Sequence, residues 1–186
     1  MNAEEKIEGA STGTLAPSLM EVLDTHALME TQVGEIYINF AATFGHNPDL
    51  RALWSAMALE EGGHAALLRA VKKGLFAGVF QAQSFLLPEE VINTLVVHVS
   101  DYHRQAQGQV SLDEALRITW ELECSELDFM RELLVSSSNI ADLGFPTNLE
   151  SRDKHVSRLR ELIQQYATDE GLRREVKFLS AERFSG

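Results

Sequence analysis

Cysteine is all but missing from this sequence. Cys124 stands alone, which excludes an intrachain disulfide and any four-cysteine iron or zinc site within one chain. Basic residues are also short: 16 Lys and Arg face 28 Asp and Glu, a formal net charge of -12. A phosphate backbone needs a basic face, so neither a nucleic acid nor an anionic membrane surface is an expected partner. No apolar run approaches the ~20 residues that span a bilayer. The opening stretch, Met1 to Gly13, is polar and acidic and has no apolar h-region, so no secretion signal is expected and the cytoplasm is the default compartment. Proline occurs only 4 times and glycine 12 times. What remains is 45% hydrophobic over 186 residues, enough for one folded domain with a sizeable core.

Apolar residues recur at helical spacing through most of that length. After a polar arm (1–15), Pro17 suits a first helical turn, and the period holds from Ser18 to Phe44, with Gly45 as its stop. The stripes of this helix are Leu19, His26, Val33, Phe40 and Leu23, Glu30, Tyr37, Phe44. Asn47-Pro48 opens a second helix to about Lys73, with stripes Trp54, Glu61, Leu68, Leu75 and Leu50, Met57, His64, Val71. The short gap makes these two helices antiparallel neighbours. Residues 74–87 show no clear period and read as a connection. Pro88 opens a further helix to about Gln107, with Val91, Leu95, His98 and Tyr102 on one side. Ser111 with Glu114 is a capping box for a helix to about Ser136, whose stripe is Leu116, Trp120, Glu123, Leu127, Met130, Leu134. A loop at 137–146 and a second capping box, Thr147 with Glu150, lead into the stripe Leu149, Arg152, His155, Leu159, Leu162, Tyr166. The segment 168–186 reads as a weakly helical tail, packed on the outside or on another subunit.

The polar members of these stripes carry the functional signal. Glu61 and His64 are three apart, hence on one helix face, and both lie on inward seams. A buried carboxylate costs several kcal/mol unless it is paired or bound to a metal. Glu30 and Glu123 are two more inward acids. The pattern repeats: Glu30 is followed by Glu61 and His64, and Glu123, at nearly the same spacing, by Arg152 and His155. Each half is a helix with an inward Glu, then a helix with an inward pair ending in His. Two such halves make a four-helix bundle (16–167), and the insert at 74–110, carrying an extra helix, is long enough to cross it as the ferritin-like topology requires. The fold expected is all-α.

At this point the chain resembles the rubrerythrin-like branch of the ferritin-like di-iron carboxylate superfamily. The resemblance rests on four motifs in order: Glu30-Thr31-Gln32 with Tyr37 and Phe40-Ala41; Asn47-Pro48-Asp49-Leu50 up to Glu60-Glu61-Gly62-Gly63-His64; Ala115-Leu116 with Glu121, Glu123, Glu126 and Phe129; and His155-Val156-Ser157-Arg158-Leu159. It covers roughly residues 18–165. It implies Glu30, Glu61, His64, Glu123 and His155 as iron ligands, with Glu126 a further one, and reduction of peroxide or dioxygen with an external electron donor. It also implies a homodimer packed through helix faces.

The chain departs from that family where the fourth-helix glutamate is expected, which is Arg152, and where a tyrosine is expected after Glu123, which is Met130. The rubredoxin-like domain is absent, since one cysteine cannot build it. Three inward carboxylates and one guanidinium leave about minus two, which one divalent cation nearly balances. The expectation is therefore a cation held by Glu30, Glu61, His64 and Glu123, with the Arg152 fork in the space of a second ion and His155 a weak ligand or a partner to one. His26 reads as a satisfied core histidine beside Glu30, and the Tyr37 hydroxyl as a partner of a ligand carboxylate and a source of protons. Gly62 and Gly63 read as a close-packing position, or as room beside the metal for a small oxidant. Carboxylate-rich donors accept Fe, Mn or Zn, so two functions stay open: an iron oxidoreductase acting on peroxide or O₂, or a non-catalytic protein that binds or stores divalent metal.

Overall fold

The computed structural model describes residues 19–78, 89–125 and 149–183, without the side chains of 89, 91, 125, 149–154 and 178–183. Among the described residues it is all-helical, with six helices and no strand. These are α1 (Leu19–Thr43), α2 (Pro48–Phe76), α3 (Glu89–Ala106), α4 (Leu112–Ser125), α5 (Leu149–Tyr166) and α6 (Glu170–Arg183). No described helix is long and apolar enough to cross a membrane.

Local chemistry sets the helix starts. Asn47 caps α2 by accepting from the backbone N–H groups of Asp49 (3.0 Å) and Leu50 (3.3 Å), with Pro48 in the first turn where its missing N–H costs nothing. The capping box at Ser111 forms as expected: Ser111 N donates to Glu114 Oε2 at 2.8 Å, and Glu114 N donates to Ser111 Oγ at 3.2 Å. Asp169 caps α6 by accepting from Gly171 N and Leu172 N, and Arg117 of α4 pairs with it.

α1 and α2 form an antiparallel hairpin. Their contacts run in opposite chain directions, from Asp24–Lys72 through Thr31–Arg69 to Phe40 and Phe44 against Trp54. α4 joins this pair through Trp54 Nε1, which donates to Thr119 Oγ1 at 2.9 Å. α5 reaches α2 through Arg158 and Tyr166, both on Asp49 at 3.1 Å. Two apolar clusters result. The larger gathers Val33, Ile36, Phe40, Trp54 and Met57 with Leu116, Leu159 and Leu162; the smaller gathers Val22, Leu23, Ala27, Leu68, Val71 and Ile92. Each fully buried aliphatic side chain contributes about 1.5–3 kcal/mol against exposure. Along α1 and α2, the polar residues of interest fall where the chain passes from one cluster to the other.

The fold departs from the sequence expectation in three places. α3 buries Ile92, Val99 and Ala106, while in the expected row Leu95 and Tyr102 are partly buried against the larger cluster and His98 is exposed. The C-terminal segment is a 14-residue helix whose Leu172 and Val176 lie in the larger cluster. Gly62 and Gly63 are exposed, and among the described residues nothing lies within 4 Å of a Cβ at either, so no described element packs closely against them. The expected polar arm, residues 79–87 of the expected connection at 74–87, residues 126–136 of the helix expected to reach Ser136, with Met130, and the expected loop at 137–146 lie outside the described residues.

Candidate metal centre

Among the described residues three carboxylates are buried: Glu30 (5% exposed), Glu61 (4%) and Glu123 (5%). Helix phase puts them there. Glu30 sits between Leu23 and Tyr37, Glu61 between Trp54 and Leu68, and Glu123 one turn beyond Trp120, each at the spacing of an apolar row. Gly34 lies on α1 one turn after Glu30, and a Cβ there would stand 3.5 Å from Glu61 Cβ, so α1 and α2 run close at this level.

Glu30, Glu61 and His64 converge. His64 Nδ1 is 2.8 Å from Glu61 Oε2 and 3.7 Å from Glu30 Oε2. One donor atom from each of the three lies within 4.8 Å of the others, the only such group among the described residues. Glu30 Oε2 is buried and takes no hydrogen bond among the described residues. Burial is the largest influence on the His64 imidazole and lowers its basicity, but the Glu30 carboxylate and the charges of Glu60 and Glu123 outweigh it and raise the pKa.

Glu123 and His155 stand beside this group, not within it. Tyr37, fully buried, donates its hydroxyl to Glu123 Oε1 at 2.9 Å. His155 Nδ1 on α5 pairs with Glu60 Oε2 on α2. The hydrogen bond that the His155 ring donates to Glu60 is the main cause that raises the His155 pKa, against partial burial, and the charges of Glu60 and Glu123 add to it. His26, 3% exposed, is pushed the other way: burial lowers its pKa to about 4, partly offset by Glu30. The expected ligand Glu126 lies outside the described residues. So does the Arg152 side chain, although its backbone is in α5.

Sequence reasoning passed over Glu60 as a site residue. The signal was present: Leu53, Glu60 and Leu67 make a heptad row on α2, in which Leu53 is buried and Leu67 packs on the smaller cluster.

The donor set suits a cation. Two donors about 2.1 Å from one first-row divalent ion lie roughly 3 to 4 Å apart; the His64–Glu30 distance of 3.7 Å falls in that interval, and the His64–Glu61 distance of 2.8 Å, a hydrogen-bond contact, falls just short of it. Two carboxylates and one imidazole suit Fe, Mn or Zn. No family model, curated protein or solved structure matches this chain.

Proposed function

We propose that this chain is a ferritin-like, rubrerythrin-like metal protein that binds a divalent ion through Glu30, Glu61 and His64 and, with iron bound, reduces peroxide or O₂ using an external electron donor. The observation that carries the reading is the buried Glu30 Oε2, without a hydrogen bond among the described residues, beside Glu61 and His64. Two carboxylates in a largely apolar interior need a counter-charge, and an ion there supplies it.

Iron held by such donors would supply the redox chemistry that a small oxidant requires, while Zn, which has no redox chemistry, would fit the same donors without it. The residues of the chain do the rest. Glu30 and Glu61 present the negative charge. The His64 side chain is 33% exposed, so a small molecule reaches the group from solvent. The Tyr37 hydroxyl orients Glu123 and keeps a proton beside the site. Reducing one peroxide to two waters takes two electrons and two protons. The electrons come from outside, since a lone cysteine builds no electron-transfer cluster.

The test is an anaerobic Fe²⁺ titration of chelator-stripped protein with elemental analysis, followed by peroxide consumption with a chemical reductant. The expected result is bound iron that turns over peroxide faster than free iron, lost in Glu61→Gln. Bound iron with no turnover makes the chain a holding protein and overturns the catalytic half. No bound iron overturns the whole reading.

A further inference from the structure

Between Glu61 and His64 on α2 stand two glycines, Gly62 and Gly63. Both are exposed, and no described element comes within 4 Å of a Cβ at either. Glycine in mid-helix is less stable than alanine, and packing among the described residues gives nothing in return. Gly63 lies about 200° round the helix from Glu61. Here one helix thickness, bare of side chains on its outer side, separates the buried carboxylate from solvent.

The face around the glycines has its own composition. Ala52, Ala56, Leu59, Gly63 and Ala66 recur four and three residues apart, all exposed, with Leu59 at 80%. The exposed charges of α2 lie beyond the two ends of this row and are all basic: Arg51 at one end, Arg69 and Lys73 at the other. The acids of α2 are turned elsewhere: Asp49 pairs with Arg158, Glu60 with His155 and Glu61 with His64. On the neighbouring α1, Asp24 is held by Lys72 and Glu35 by His103. In a chain of net charge -12 this is an apolar strip with positive ends. It is roughly 20 Å long and one helix wide. That is too small for a permanent interface, and it suits a weak electron-transfer encounter, which buries under about 1,200 Å².

We infer that the external electron donor docks on this face of α2, and that the donor is a small acidic one-electron carrier protein seated over Gly62 and Gly63. The inference rests on the proposed reduction of peroxide beside Glu30, Glu61 and His64, and it gives the electrons their entry point. Electron transfer falls steeply with distance, and a carrier resting on bare backbone comes as near to Glu61 and His64 as the thickness of α2 allows. Two reduced carriers each give up one electron per peroxide, solvent supplies two protons, and two waters form. The basic ends steer an acidic partner into place, and the small apolar contact lets the oxidised carrier leave.

The probe is an acidic [2Fe–2S] ferredoxin. Its oxidised form is titrated by calorimetry into the metal-free full chain. Its reduced form drives peroxide consumption by the iron-loaded chain, beside parallel assays with a small chemical reductant. Binding should weaken at least fivefold between about 0.05 and 0.3 M salt, because the charges that guide it are exposed. Leu59→Glu, and separately the double variant Arg51→Glu with Lys73→Glu, should each weaken binding and lower the ferredoxin-driven kcat/KM at least fivefold. Turnover on the chemical reductant should stay within about twofold, and circular dichroism confirms that the variants remain helical. Ferredoxin that does not bind, that binds parent and variants equally, or that binds without driving turnover overturns the docking face. The metal centre stands in each of those cases if the chemical reductant still sustains turnover. No turnover with either reductant overturns both.

Discussion

Tyr37 and Glu123 are 86 positions apart in the chain, and the buried hydroxyl of one donates to the carboxylate of the other at 2.9 Å. The contact ties α1 to α4 beside the candidate metal centre, and the two residues come from opposite halves of the repeat. Removing the hydroxyl with Tyr37→Phe keeps the ring in the core and takes a donor from a buried, charged acceptor. Such a loss costs about 1–3 kcal/mol. Urea unfolding of the metal-free protein should show it as a lower midpoint at unchanged slope. A shift worth under about 0.3 kcal/mol would mean that the bond contributes nothing to holding Glu123.

Metal should stabilise the fold in proportion to its free concentration. An ion that binds only the folded chain contributes RT ln(1 + [L]/Kd), about 2.7 kcal/mol at 100 times Kd. For a chain of this size each kcal/mol moves the melting midpoint by about 2–4 °C, so saturating Mn²⁺ or Zn²⁺ should raise it by roughly 5–10 °C. In His64→Gln most of that rise should vanish while the midpoint without metal changes little. An equal rise in both proteins would place the ion somewhere else.

How much of this was legible in the sequence depends on which physical signal each residue carried. The α1 and α2 rows were readable because apolar residues one heptad apart recur without interruption, and Glu30 and Glu61 fall in those rows as the only acids; both are buried. The capping signals at Asn47 and Ser111 are short-range and local, so sequence suffices for them. α3 carries two apolar rows, and periodicity alone does not say which is the more buried: Ile92, Val99 and Ala106 are, while Leu95 and Tyr102 of the expected row are partly buried against the larger cluster. Glu60 was overlooked for a different reason. It is adjacent to Glu61 and so lies about 100° round the helix, on the row of Leu53 and Leu67, whose inner face the sequence shows. Its partner is what the helix read alone does not contain, since His155 reaches it only through the tertiary arrival of α5.

His26 gives the protein a pH dependence of known sign. Its folded pKa is held near 4 by burial, against 6.5 in the open chain. As pH falls below 6.5 the unfolded chain takes up this proton and the folded one does not, so stability falls between pH 6.5 and 4 and is unaffected by this group above 6.5. At 1.36 kcal/mol per unit the full loss is about 3 kcal/mol. Unfolding of metal-free protein at pH 7 and pH 5 should show the parent losing about 2 kcal/mol more than His26→Phe, which has no such proton to take. If both proteins lose the same amount, His26 is not buried as a neutral ring.

Trp54 and Thr119 make the buried link between α2 and α4. The indole Nε1 donates to Thr119 Oγ1 at 2.9 Å, and that hydroxyl donates onward to Ala115 O at 2.8 Å. Thr119 is fully buried, so no water replaces a lost acceptor. Thr119→Val keeps the shape and removes the oxygen, which should cost about 1–3 kcal/mol because the indole N–H loses this acceptor. The alternative cause, a small change in packing around a branched side chain, predicts a similar single-variant result, so one substitution does not decide between them. A double-mutant cycle does. In a Trp54→Phe background there is no indole N–H to strand, and the hydrogen-bond account predicts that Thr119→Val becomes cheaper by about 1 kcal/mol or more. Trp54→Phe carries its own cost through the contacts with Phe40 and Phe44, at 5.3 and 5.6 Å between ring centres, but that cost cancels in the cycle. Denaturant midpoints of the four proteins measure the coupling directly. A value near zero would show that α4 is held against α2 by packing alone.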